Sequence, residues 1–300
     1  MNNRIRRNKG DRVFDGINAL LLLIVGVVTL YPFWNILVLS FNNALDTLRG
    51  GVYLWPRSFT LDNFKMIFDL PQLATAFGNS FLRTIIGSLL SVGSTAMLAY
   101  VISRRDFLFQ KLLQRLFVIT MYVSGGLIPI YFVIKGLGLL DNFLVYLIPM
   151  LLQPFYLLIA RSYMDGLPAS LQESAQIDGA NDFIIFAKII FPLSMPIIAT
   201  ILLFVAVDQW NAWFDTFIYT ANEKLTTLQY ELVKILSQST ASVRNDADLR
   251  SKLAGGTGVV STPQSIRMAI TIVATIPIVV VYPFVQKYFV HGMTLGAVKG

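Results

Sequence analysis

The sequence predicts an all-α membrane protein with six transmembrane helices, and three observations carry that prediction. Hydrophobic residues fill 55% of the 300 positions and charged residues only 14%, where soluble domains carry about 25% charged; the mean hydropathy is +0.63. The apolar residues gather in six runs, approximately 17–40, 81–102, 112–134, 143–160, 195–219 and 268–289. A helix rises about 1.5 Å per residue, so roughly 20 apolar residues cross the hydrocarbon. Much of the +7 formal charge lies beside these runs on particular connectors, which suits an orientation signal better than a nucleic-acid patch. The whole chain, 1–300, reads as one transmembrane domain.

The first run follows a basic tail containing Arg4, Arg6, Arg7, Lys9 and Arg12. It is longer than the 7–15 residues of a secretory h-region, and no small-x-small cleavage site follows, so it is a retained span. The connector after the second run carries Arg104, Arg105, Lys111 and Arg115, whereas the one after the third has only Lys135 against Asp141. The positive-inside bias places the tail and the second connector in the cytoplasm and the third connector outside. With six crossings the C-terminus, including Lys287 and Lys299, is cytoplasmic too. The long loop before the last run is then external; its basic residues are mostly remote from the spans and offset by Glu223, Glu231, Asp246 and Asp248, but Arg267 runs against the rule.

Helix breakers punctuate the runs: Pro32 in the first, Ser124-Gly125-Gly126 and Pro129 in the third, Pro154 in the fourth, Pro277 and Pro283 in the sixth. In lipid the freed backbone groups need partners in neighbouring helices or a wet cavity. Their density predicts a packed bundle around a pathway.

Several chemistries are excluded. The chain has no cysteine, so disulfides, thiolate metal sites and cysteine nucleophiles are ruled out. His291 is the single histidine and has no second imidazole with which to hold a metal. No nucleophile or metal cluster supports a membrane enzyme, so catalytic and metal-ligating residues are both read as none. Gly255-Gly256-Thr257-Gly258 lacks the lysine of a phosphate loop, so the chain binds no nucleotide cofactor of its own.

The fourth connector, 161–194, is the most informative stretch. Pro168 suits the first turn of a helix that runs to about Asp178 and stops at Gly179, a natural terminator. Asn181 or Asp182 can cap a second helix through Phe183, Phe186, Ile189 and Ile190 to Pro192. The element is too polar at its start for lipid and too apolar at Leu171, Ala175 and Phe183 for an idle loop. Both faces together suit docking against another protein.

These residues resemble a known pattern. Glu173-Ser174-Ala175, three residues, Gly179, nine residues, then Ile189-x-Phe191-Pro192 is similar to the EAA motif of permeases in binding-protein-dependent ATP-driven importers. Ser174 replaces an alanine and Phe191 a leucine; the spacing is intact, and Asp178-Gly179-Ala180 fits the common form. The resemblance covers most of the chain. The Tyr31-Pro32-Phe33-Trp34 block and the tail from Gln286 to Gly300 look like maltose-type sugar permeases, closest to the branch handling complex oligosaccharides. It implies the type I importer permease fold, paired with a second, different permease, two ATPase subunits holding ATP and Mg, and an extracytoplasmic sugar-binding protein. The motif would couple to the ATPase through Glu173, Ser174, Ala175, Asp178, Gly179, Ala180 and Pro192. The expected setting is the bacterial cytoplasmic membrane, among lipids and without nucleic acid.

The fifth run adds candidates for a substrate path. Asp208, Asn211, Asp215 and Tyr219 would share a helical face; Trp210 and Trp213 add aromatic rings, and Gln153 and Tyr156 lie near Pro154 in the fourth run. Intramembrane polar groups are costly and face the bundle interior or a wet cavity. Rings beside carboxylate and amide acceptors suit a sugar, although interhelical hydrogen bonds and an interfacial aromatic belt would use the same residues. In the outer loop 221–263, Leu225, Leu228, Leu232, Ile235 and Leu236 form an amphipathic stretch before a Gly/Ser/Thr-rich segment, for which the resemblance suggests contact with the binding protein. The same residues would suit an interfacial helix. Two alternatives remain at this level: a proton- or sodium-coupled carrier using Asp208 and Asp215, and an ATP-driven permease for a non-sugar solute.

Overall fold

The computed structural model describes residues 9–69, 71–242 and 262–297. In order, its helices are α1 (Lys9–Ser40), α2 (Ala44–Leu48), α3 (Asp62–Phe68), α4 (Pro71–Ser103), α5 (Gln110–Tyr122), α6 (Leu127–Gly136), α7 (Pro154–Asp165), α8 (Ala169–Ile177), α9 (Asp182–Ile185), α10 (Phe191–Leu193), α11 (Met195–Asn211), α12 (Phe214–Tyr219), α13 (Leu228–Ser242) and α14 (Pro263–Ala297). Short 3-10 turns at Phe143–Tyr146, Ile148–Met150 and Glu223–Leu225 and a π-helical turn at Phe186–Ile190 link them. Among the described residues there is no β-strand, only one bridge between Asn42 and Phe59. Arg4, Arg6, Arg7, much of the Gly/Ser/Thr-rich segment and Lys299 lie outside the described residues.

Every predicted apolar run has a helical counterpart. Val13–Ser40 and Pro71–Ser103 are single helices long and apolar enough to cross a membrane; Phe143–Met150 with Pro154–Asp165 and Asp182–Leu193 with Met195–Asn211 are pairs bent by 44° and 80°. Leu127–Gly136 and Gln264–Val280 are shorter apolar helices. The third run breaks where its glycines predict, with Gly126 at φ +82 between α5 and α6. Pro154 opens α7 at a position where its missing N–H costs nothing. Pro32, by contrast, does not interrupt α1, and Pro277 and Pro283 lie inside α14.

The chain divides into two compact units. One comprises Met1–Asp69 and Ile235–Val273. There, the end of α1 is tied to the following loop by Asn35 Nδ2, which donates to the Val52 and Tyr53 carbonyls, and by Trp34 Nε1, which donates to Leu54. Buried Asn63 donates to the Ser40 and Asn42 carbonyls at 2.9 Å each. Asn42 in turn donates to Asp46 and, together with Arg57, holds the Asp46 carboxyl below the usual carboxylate range.

The other unit comprises Leu70–Lys234 and Ala274–Gly300, with α4 packed against α7 and α11. Its face composition is that of a membrane protein. Along α4 most inward positions are small or polar (among them Ser80, Gly87, Ser88, Ser91, Thr95, Ala96 and Ala99), with Leu73, Val92 and Ile102 the large aliphatic ones, while Phe81, Leu82, Ile85 and Leu89 point outward. Small residues let helix backbones approach where lipid offers no hydrophobic drive to association, and an apolar exterior of this extent requires an apolar surrounding.

Candidate functional site

The loop after α7 folds as a helix–glycine–helix element. Pro168 takes the N-cap position of α8 rather than its first turn. At the other end, Gly179 N–H bonds to Gln176 O at 3.0 Å and Ala180 N–H to Ala175 O at 2.9 Å, with Gly179 at φ +81. This is the Schellman arrangement, which needs a left-handed residue and so favours glycine. Ala175 and Ala180, its two apolar partners, pack on the core formed by α4, α7 and α11. Asn181 then caps α9, its Oδ1 accepting from Ile184 N–H at 2.9 Å. Of the residues implied in coupling, Glu173, Ser174, Asp178, Gly179 and Pro192 are exposed, and Ala175 and Ala180 are half-buried. Ile177 and Phe183 project as exposed apolar side chains on either side of the glycine, 87% and 67% accessible.

Behind α8 lies an open polar cleft of about 520 Å³, lined among others by Arg104, Arg105, Arg161, Gln172, Glu173 and Gln176. Glu173 therefore faces its own chain's arginines. Arg104, just past the end of α4, reaches two carboxylates: Nη2 to Asp106 Oδ2 at 2.6 Å and Nη1 to Asp182 Oδ1 at 2.7 Å. The bond to Asp106 raises the Arg104 pKa, and it holds the Asp106 carboxyl below its ordinary value.

The fifth run does not form one helix. α11 ends at Asn211, Ala212 is extended, and α12 begins at Phe214. The expected face through Asp208, Asn211, Asp215 and Tyr219 is therefore cut at Ala212. Asp215 turns to Arg83 of α4, whose side chain is fully buried: Nη2–Oδ2 is 2.5 Å and Nη1–Oδ1 is 3.2 Å. Arg83 Nη1 also donates to the freed Ala212 carbonyl at 3.3 Å, and Gln209 Oε1 accepts from Nε and Nη2. The guanidinium lies 4.4 Å from the Tyr146 ring centroid, and Gln209 Nε2 donates to the Tyr146 carbonyl at 3.2 Å.

The remaining path candidates separate into two groups. Trp210 is buried, donating from Nε1 to Ala274 O at 3.0 Å and meeting Phe77 edge-on, so its ring is part of the packing. Asp208 and Asn211 are exposed on α11. Asp208 Oδ2 accepts from Tyr156 Oη at 2.9 Å, and Asn211 Oδ1 accepts from Gln229 at 3.1 Å. Trp213 is partly exposed at the break, beside Phe214. Gln153 immediately precedes α7 and contacts Met150. Among the described residues no group of three His, Cys, Asp or Glu side chains could hold a metal ion.

Residues 91–295 match the binding-protein-dependent transport system inner membrane component family. The chain belongs to that family. It is similar to the protein LplC of Bacillus subtilis, 36% identical over 99% of this chain and 98% of the other. It is also similar to the polygalacturonan/rhamnogalacturonan transport system permease protein YtcP of the same organism, at 37% over 97% and 99% of the two chains. Among solved structures it superposes on a chain of a bacterial ABC transporter involved in the import of the acidic polysaccharide alginate, with a TM-score of 0.83 and 28% identity over 95% of this chain and 99% of that one. The protein is thus a membrane permease of a binding-protein-dependent importer and not an enzyme.

For such a permease, sequence reasoning had missed Arg83, Gln209 and Tyr146. The available signal was Arg83 itself: an arginine inside an apolar run is expensive and must be paired within the bundle. From sequence Arg104 is only an orientation charge, and Asp182 only a possible cap.

Proposed function

We propose that this permease forms one half of the translocation path of an ATP-driven oligosaccharide importer, opposite a second, different permease. Two partner ATPase subunits carry ATP and Mg, and an extracytoplasmic sugar-binding protein delivers the substrate. The chain crosses the bacterial cytoplasmic membrane six times with both termini inside; the loop 161–194 is cytoplasmic and 221–263 external. The observation that carries this reading is the helix–glycine–helix element. Its Schellman turn at Gly179 presents exposed Ile177 and Phe183 at the tip, a shape suited to a cleft on another protein. Glu173, Ser174, Ala175, Asp178, Gly179 and Ala180 form or lead into that tip, and Pro192 lies at the far end of the second half of the element. Sugar as cargo is supported by the names of the similar proteins and by Asp208, Asn211, Trp213, Tyr156 and Gln153 as hydroxyl-bonding and stacking groups. Trp210 and Asp215 would shape the path from behind.

Co-purification of the tagged chain from membranes tests the reading, with Glu173→Lys in parallel. Recovery of an ATPase and a second permease, with the ATPase weakened by the substitution, is expected. A stable, transport-competent chain free of any ATPase would overturn it. Uptake by the reconstituted importer, compared between an oligosaccharide panel and an amino-acid and peptide panel, decides the cargo class.

A further inference from the structure

A position in the last turn of α4 and the residue just past its end face two positions on the coupling element one turn apart. Asp182 and Phe186 stand at i and i+4 and share a helix face; across from them Arg104 follows Tyr100 by four residues and folds back onto it, 5.9 Å from its ring centroid. The Tyr100 and Phe186 rings are 5.4 Å apart, and Arg104 Nη1 is 2.7 Å from Asp182 Oδ1 and 3.1 Å from Tyr100 Oη. Only 13% of the Arg104 side chain is accessible. Arg104 also lines the open polar cleft beside α8, so its guanidinium stands between that cleft and the second half of the coupling element. The Asp182 side chain is 69% accessible, so the directional contact is half-open on its acid side and is backed by the buried Tyr100 and Phe186 rings.

We propose that Arg104 is a positioning residue for energy coupling: with Tyr100 it holds Asp182 and Phe186, so that displacement of the coupling element is passed to α4 as a unit. The inference rests on the ATP-driven reading above. The consequence lies at the far end of the same helix. From Arg104 back to Arg83 α4 rises about 30 Å, roughly the thickness of the hydrocarbon, and Arg83 holds the break between α11 and α12. A movement received at Arg104 is thereby delivered to the segment that carries the path candidates. The fork geometry matters, since a guanidinium reaches Asp106 and Asp182 together and an ammonium is a point charge.

The chain has no native cysteine, so with the partner subunits' own cysteines replaced a nitroxide at Phe81→Cys, an outward position on α4 that is 51% exposed, reports motion of the far end alone. In the purified complex with its ATPase, ATP plus vanadate is expected to change the spectrum of the parent. Arg104→Ala and Asp182→Asn should shrink the responding fraction about five-fold or more while the ATPase still co-purifies and its basal hydrolysis stays within about twofold. Arg104→Lys should fall between. A full response in Arg104→Ala, a response lost only together with the ATPase, or an unresponsive parent complex would each overturn the proposal. If no ATPase co-purifies with the parent chain, the ATP-driven reading itself fails, which is a distinct result.

Discussion

Arg83 and Asp215, 132 residues apart, close a two-bonded fork in which Nη2–Oδ2 is 2.5 Å and Nη1–Oδ1 is 3.2 Å. The arginine is fully buried and the aspartate side chain 15% accessible. The same guanidinium takes the carbonyl released by the break at Ala212. The pair therefore does two things at once: it neutralises a charge inside an apolar bundle and caps an interrupted helix. Removing one member strands the other, which costs about 3–5 kcal/mol for a buried pair, whereas replacing both is far milder. Arg83→Leu and Asp215→Leu are each expected to lower the thermal midpoint of the detergent-solubilised complex sharply, and the double substitution to recover part of the loss. Strictly additive losses would mean that the two side chains are not coupled.

Gly87 lies one turn from Arg83 on α4, and a methyl there would come within 2.5 Å of Gln209 Nε2 and 2.9 Å of Gln209 Cδ. Gln209 cannot yield cheaply, because its amide joins Arg83 to the Tyr146 carbonyl. Gly87→Ala is therefore expected to destabilise by about 1–3 kcal/mol, although alanine is the better helix former. With Gln209→Ala in the same chain the steric cost should largely vanish, so the pair should be non-additive in a thermal-shift cycle.

The parts that could be read from sequence were those with a local cause. Gly179 stops α8 because a left-handed residue is needed there, and the Ser124–Gly126 cluster separates α5 from α6 because glycine tolerates the required angles. The break at Ala212 has no such mark: Trp210-Asn211-Ala212-Trp213 contains neither glycine nor proline. The structure supplies an acceptor-satisfying arginine from α4, and that partner is invisible to any window along the fifth run. Pro32 misleads in the opposite sense, since α1 continues through it and membrane helices accommodate the lost bond through local adjustment. Of the path candidates, Asp208 and Tyr156 are brought together, while the helical-face argument placed Asp215 with them only by assuming an unbroken helix.

Gly179 offers a test of the coupling element that leaves its charged and large apolar side chains in place. Nothing lies within 4 Å of a Cβ built there, so only the backbone angle, φ +81, resists substitution. The left-handed conformation costs an ordinary L-residue roughly 1–2 kcal/mol, and asparagine less. Gly179→Ala should weaken recovery of the ATPase in pull-downs about ten-fold at limiting concentration, and Gly179→Asn distinctly less. Equal recovery with both variants would show that the angle at this turn does not govern docking.

Asp208 separates a role in transport from a role in packing. It is exposed on α11, and Tyr156 Oη is the side-chain donor that reaches it, at 2.9 Å. An exposed substitution without such a role changes stability by no more than about 0.5 kcal/mol. If the carboxylate receives a sugar hydroxyl, Asp208→Asn replaces a charge-assisted bond, worth about 1.5–3 kcal/mol, with a neutral one. Uptake at low substrate concentration should then fall on the order of ten-fold with the thermal midpoint almost unmoved. Tyr156→Phe frees the same oxygen for substrate and should leave more uptake than Asp208→Asn does. The reverse pattern, a lowered midpoint with uptake intact, would make Asp208 and Tyr156 a tie between α7 and α11, and the path would have to run along another face.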